Sequence, residues 1–207
     1  MQSQTDLYNM LTYTDSELDL STPELYVLEV CIAAHKLTFT LHRNNRIMGL
    51  RKLTTAVNLL DPGSSSSVAD AIDRMEWQKA GYMETRLFID DEKFTLVPEP
   101  LFESDKAATY LNLVHKNIEQ DKILTARLPK HAAVCVFGLN DQLLRFIHST
   151  FANASVSHIN QVLLQLASQY NTNDLKNHLL LHICDGFISV LYYQNKEIKF
   201  MNTFAVE

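Results

Sequence analysis

Glycine is scarce in this chain. Its five glycines, Gly49, Gly63, Gly81, Gly138 and Gly186, lie far from one another in 207 residues. That spacing excludes the glycine-rich loops whose successive backbone N–H groups wrap a phosphate, and neither a Walker-type nor a dinucleotide-binding fingerprint is present. Positive charge is also in short supply: 18 Lys and Arg against 24 Asp and Glu give a formal charge of −6, which opposes sequence-independent attraction to nucleic acid. The one basic run, Arg43, Arg46, Arg51 and Lys52, reads as a solvated face. No uncharged apolar run reaches the roughly 18 residues of a membrane span, and the N-terminus lacks the basic start and apolar stretch of a secretory signal. Three cysteines, Cys31, Cys135 and Cys184, stand far apart inside apolar runs. That excludes a zinc ribbon and reads as buried thiols in a reducing compartment. The expected address is the cytoplasm, with neither nucleic acid nor membrane as partner.

What is present is a chain 46% apolar, enough to bury one large core or two smaller ones. Residues 1–24 are polar and read as an N-terminal arm. Three strands in a meander follow, "YVLEVCI", "LTFTLHR" and "RIMGLRKLTT", broken at "AAHK" and "NN". A helix is predicted from Ser67, which caps it with Asp70 as box partner, to about Lys79; it carries Trp77, expected to pack onto the sheet. "TRLFIDDEKFTLVP" predicts a hairpin with a solvated acidic tip at Asp90 and Asp91. A second helix starts at Ser104 and gathers Ala107, Leu111, Val114 and Ile118 on one face. Two strands, "ILTARLP" and "AAVCVFGL", then a helix around Leu143 to Phe151, a short strand near "SVSHI" and a helix around Val162 to Tyr170 lead to the closing strands of "HLLLHICDGFISVLYYQNKEIKF".

That closing run echoes the opening meander. A gapless overlay sets Ile32 on Ile183, Leu37 on Ile188, Phe39 on Val190, Leu41 on Tyr192 and Ile47 on Ile198, and aligns Ala34 and His35 with Asp185 and Gly186. Each meander then reads as apolar on its inward face. Meanders at both ends of a mixed chain imply an α/β (α+β mixed) fold of two ribonuclease-H-like lobes.

"KFTLVPEPLFESDKAATYLNLVHK" (Lys93 to Lys116) together with "HLLLHICDGFISVLYYQNKEIKFMNTF" (His178 to Phe204) resembles an uncharacterised bacterial family typical of Bacteroidetes, domain of unknown function 3822. The resemblance covers Leu25 to Phe204 and implies an actin-like ATPase fold without an assigned activity. It divides the chain into an arm, 1–24, a first ribonuclease-H-like lobe with inserted or bridging elements, 25–175, and the start of a second lobe, 176–207. Members of the family continue beyond this point, so the second lobe is expected to be truncated.

In the actin-like ATPases the first hairpin turn of each lobe faces the nucleotide phosphates, so the resemblance marks Ala34, His35 and Lys36, with Asp185 and Gly186, as phosphate-facing candidates. The first turn has neither Gly nor Asp. In the second, His182, Ile183 and Cys184 stand where the superfamily's Asp-x-Gly is expected, and Asp-Gly is also the commonest chemistry for a plain type I′ turn. His178 and His182 are four apart, roughly 13 Å on a strand and too far to share an ion, so no metal-binding residue is expected. No catalytic residue emerges. The expected function is a cytoplasmic, non-catalytic pseudo-ATPase acting through protein-protein contacts. The alternative is a nucleotide-dependent switch with ATP and Mg²⁺ as cofactors. A third reading is a homo-oligomer in which copies of the chain pair along an exposed sheet edge.

Overall fold

The computed structural model describes residues 8–61, 63–75, 77, 81–116, 118–151, 153–170, 177–195 and 197–206. Two compact units divide it: Met1–Ile89 with Asn140–Ser157, and Asp90–Leu139 with His158–Glu207. The expected boundary between residues 175 and 176 lies outside the described residues. The observed division follows the path of the chain, which leaves the first unit after residue 89 and comes back to it for residues 140–157.

The first unit holds six strands: β1 (Tyr8–Thr14), β2 (Val27–Ala33), β3 (Lys36–Arg43), β4 (Arg46–Thr55), β5 (Glu84–Asp90) and β9 (Ser155–His158), in the order β1-β4-β3-β2-β5-β9. The expected meander is β2-β3-β4, closed by two-residue turns. Asn44 and Asn45 both take positive φ, 52° and 59°, the geometry of a type I′ hairpin, which Asn tolerates. Along β2 and β3, Leu28, Val30, Ile32, Leu37, Phe39 and Leu41 are fully buried. Each such side chain contributes about 1.5–3 kcal/mol when removed from water, and a slip of one residue would turn all of them outward. Helix α1 (Ser65–Met75) lies against β3 and against α3 (Asp141–Thr150). Its Val68, Ala71, Ile72 and Met75 are buried, and Phe39 meets Phe151 just past α3 with ring centroids 6.1 Å apart.

Three expectations change here. Residues 8–14 of the expected arm form an edge strand, paired antiparallel with β4 from Tyr8↔Thr55 to Thr14↔Gly49; its exposed Met10, Leu11 and Tyr13 hid the burial signal. Helix α1 starts at Ser65, so Ser67 lies within its first turn and not at its cap, and the expected end at Lys79 lies outside the described residues. The basic run is solvated only in part: Arg43 and Arg46 are exposed as expected, Arg51 and Lys52 are half-buried, and three of the four meet partners within the protein. Arg46 pairs with Asp15 at 2.7 Å and Glu17 at 3.0 Å, and Arg43 lies over the Tyr26 ring. Arg51 donates to the Met75 carbonyl and stacks on Trp77 at 4.7 Å.

In the second unit, β6 (Phe94–Pro98), β7 (Asp121–Leu128) and β8 (Ala133–Asn140) form a sheet in the order β6-β8-β7, and β10 (Asn177–Cys184), β11 (Phe187–Gln194) and β12 (Glu197–Ala205) form the closing meander. The predicted hairpin at Asp90 and Asp91 does not form: β5 and β6 belong to different sheets, and the chain crosses between them there. Asp90 is buried for that reason, and burial raises the Asp91 carboxyl above its usual range. Helix α2 (Ala107–Asn112) follows a single 3₁₀ turn at Ser104–Lys106. It stops before Val114, which is exposed, while Ala107, Leu111 and Ile118 join Val97, Val134 and Val136 in one core. Leu164 and Ala167 of α4 (Ile159–Tyr170) pack with Leu191 and Tyr193 on one face of the closing meander.

Trp77 is buried, as expected of a side chain packed on the sheet, and does not serve as an exposed anchor. A Cβ at Gly49 would stand 2.6 Å from the indole Cη2. Gly49→Ala is therefore expected to destabilise the protein by about 1–3 kcal/mol through overpacking. Urea melts followed by the fluorescence of Trp77, the chain's one tryptophan, measure this directly, and an unchanged midpoint would contradict it.

Candidate functional site

The two phosphate-facing candidate turns sit in different units. In the first, Ala33↔Lys36 closes the β2–β3 hairpin around Ala34 and His35. The Ala34 carbonyl accepts the Leu59 N–H at 2.6 Å and the His35 carbonyl accepts the Thr55 N–H at 3.0 Å. The turn is thus bound through its carbonyls to the end of β4 and the segment after it, whereas gripping a phosphate takes convergent N–H donors. In the second, Cys184↔Phe187 closes the hairpin around exposed Asp185 and Gly186. Gly186 has φ +86° while Asp185 stays at negative φ, so the turn departs from type I′. An added Cβ at Gly186 would meet nothing within 4 Å. Glycine is required there by the backbone angle and not by close approach of a neighbour.

The closing meander is buried on the side the overlay did not anticipate. Along β10, His178, Leu180, His182 and Cys184 are half-buried while Leu179, Leu181 and Ile183 are exposed. Ile183 is 72% exposed, and its overlay partner Ile32 is 0% exposed. The pairings do correspond, Ile32↔Leu37 in one meander and Ile183↔Ile188 in the other. What differs is the cover: in the first unit this face carries α1 and the end of α3, and in the second no element of the described residues covers it.

The inward side of β10 carries a cluster that sequence reasoning missed. Residues two apart on a strand share a face, so His182 and Cys184 point the same way. There they meet Asp90, the last residue of β5 and the first of the second unit. The imidazole Nε2 of His182 lies 2.9 and 3.1 Å from the two carboxylate oxygens, and the Cys184 thiol donates to Oδ2 at 3.4 Å. Asp90 is only 6% exposed, and His182 is its one ion-pair partner among the described residues. His178 stands apart, stacked on Tyr193 at 5.1 Å. The expected solvated tip is therefore a buried carboxylate facing an imidazole and a thiol. The His-x-Cys spacing was legible in the sequence, but its partner lies 92 residues away from His182.

His158 completes these surroundings. Fully buried, it stacks on Phe94 at 5.2 Å and lies beside Phe137. Its Nδ1 accepts the Asn160 N–H at 3.2 Å. Its buried Nε2 has no hydrogen-bond partner among the described residues. Burial pushes its pKa down to about 4, against the opposing pull of the Asp90 carboxylate.

A family model described as "Protein of unknown function (DUF3822)" matches residues 15–207. The chain belongs to this family. No curated protein matches it. Among solved structures this DUF3822 chain is similar to a Bacteroides thetaiotaomicron protein with an actin-like ATPase fold and unknown function, with a TM-score of 0.79 at 14% identity over 92% of this chain and 74% of that one. It is also similar to a chain of the PilM-PilN type IV pilus biogenesis complex, with a TM-score of 0.57 at 13% identity over 89% of this chain. The match spans 63% of that longer chain. At these identities the likeness establishes the fold, and the DUF3822 chain has the mixed α/β, actin-like ATPase fold. Among the described residues no helix is long and apolar enough to cross a membrane.

Because the folded His158 titrates below the value of about 6.5 for a free imidazole, the unfolded chain takes up the proton first as pH falls. Stability owed to neutral His158 is complete above about pH 6.5 and is lost as pH drops toward about 4. Urea unfolding across this window is expected to show a loss of about 3 kcal/mol from this residue. His158→Gln, which keeps an acceptor for the Asn160 N–H, is expected to flatten that part of the profile, and an unchanged slope would refute the assignment.

Proposed function

We propose that this chain is a non-hydrolysing, cytoplasmic member of the actin-like fold that binds an amphipathic helix of another protein on the open face of β10–β12. The observation that carries this reading is the composition of that face. Leu179, Leu181 and Ile183 stand beside Ile188, Val190 and Tyr192, and these beside Phe200 and Phe204, with Asn202 the one polar residue in the array. A contiguous exposed apolar surface of this kind marks a contact site. The nature of the occupant is argued from the first unit, where the corresponding face is covered by helices with apolar stripes, α1 and α3. A sheet face of the same pairing and pleat suits the same kind of cover. A protein of this fold found within the PilM-PilN complex is in keeping with a role in protein assembly. That none of the three cysteines forms a disulfide suits a reducing compartment.

A nucleotide-dependent switch is the competing reading. Against it stand the turn at Ala34 and His35, whose carbonyls are tied to residues 55–59, and the turn at Asp185 and Gly186, where no second glycine brings backbone amides close together.

Photo-crosslinking residues placed at Leu181 and Val190 are expected to trap a second protein in cells, with none trapped from exposed Leu113 of the connection after α2. Ile183→Asp is expected to abolish the adducts, since a carboxylate cannot be desolvated there without a partner. Purified protein is expected to neither hydrolyse ATP with Mg²⁺ above background nor gain thermal stability from it. Adducts confined to the same polypeptide or to other copies of the chain, or ATP turnover lost in Asp185→Ala, would refute the proposal.

A further inference from the structure

We propose that Asp90, His182 and Cys184 form a three-ligand site for a divalent transition-metal ion of the zinc class. One carboxylate oxygen, one imidazole nitrogen and one thiol sulfur converge, all within 4.8 Å of one another. Four-coordinate zinc is bound by such donors at about 2.0–2.3 Å, which places neighbouring ligand atoms roughly 3.3–3.8 Å apart; the thiol lies 3.4 Å from the carboxylate, and the imidazole, at 2.9 and 3.1 Å from its oxygens, has to draw back by a few tenths of an ångström to admit the ion. The donor set decides the kind of ion. Magnesium and calcium take oxygen ligands almost alone, whereas thiolate with imidazole selects zinc and its softer neighbours.

Burial gives the second, independent argument. Asp90 is a nearly inaccessible carboxylate with no Lys or Arg partner among the described residues; Lys93, three residues on, is paired with Asp121 at 3.1 Å. A buried anion needs a compensating cation. A divalent ion between the three donors supplies that compensation. On binding, the Cys184 thiol loses its proton to solvent and coordinates as thiolate, while His182 coordinates through neutral Nε2. His182 and Cys184 are half-exposed, so solvent reaches the ion and three protein ligands leave a fourth position open to water or a small anion, the arrangement of reactive zinc sites.

The site is independent of the proposed helix-binding face, since alternation along β10 puts the two on opposite sides of the strand. The full chain, treated with chelator and dialysed, is expected to bind one equivalent of Co²⁺ with a sulfur-to-metal charge-transfer band and to be displaced by Zn²⁺. Zn²⁺ is expected to raise the melting temperature, and Mg²⁺ at the same concentration to leave it unchanged. Cys184→Ser is expected to abolish the band, and Asp90→Asn and His182→Gln to weaken Zn²⁺ binding at least tenfold, while Cys31→Ser in the first unit leaves both unchanged. Circular dichroism checks that the variants fold; should Asp90→Asn fail to fold, the half-exposed Cys184 carries the test alone. No band, a band that survives Cys184→Ser, or equal stabilisation by Mg²⁺ would overturn the proposal.

Discussion

Strict alternation of side chains along paired strands governs this structure. In β3 it sends Leu37, Phe39 and Leu41 into the core of the first unit. In β11 it sends Phe187, Ser189, Leu191 and Tyr193 inward and leaves Ile188, Val190 and Tyr192 on the other side. Strand β10 is the telling case, because there the same period places His178, Leu180, His182 and Cys184 inward and Leu179, Leu181 and Ile183 outward. The metal-ligand cluster and the open apolar face are the two sides of a single strand, set by one register.

Electrostatics then separates ordinary from unusual surroundings. Among the described residues most ion pairs involve exposed partners, such as Arg145 with Asp141 and Lys106 with Glu103. Pairs of that kind contribute little to stability. Asp90 differs: its carboxylate is buried and its neighbours are an imidazole and a thiol, neither of them permanently charged. Aromatic packing against Phe94 and Phe137 buries His158 completely, which raises the cost of any uncompensated charge on that ring.

The correspondence between the two meanders shows how pairing and burial come apart. Both hairpins are closed by two-residue turns and pair equivalent residues, so the local sequence pattern is shared. Burial depends on what covers the sheet, and helices that cover one meander leave no trace in the strand sequence of the other. A turn can likewise match in position and differ in chemistry. The Ala34–His35 turn is anchored by its carbonyls, whereas Asp185–Gly186 is exposed and depends on the positive φ of Gly186.

Much of this was determined by the sequence alone: the three strands of each meander, the helices around Leu143 and Leu163, the burial of Trp77 and the resemblance to the family. These rest on periodicity, turn residues and local motif, which act over a few residues. Tertiary structure decided that residues 8–14 pair with β4, that β5 and β6 part to different sheets, that Ile183 faces outward, and that Asp90 meets His182 and Cys184. Each of these depends on contacts between residues tens of positions apart, and no local pattern encodes which distant partner fills a face or neutralises a charge.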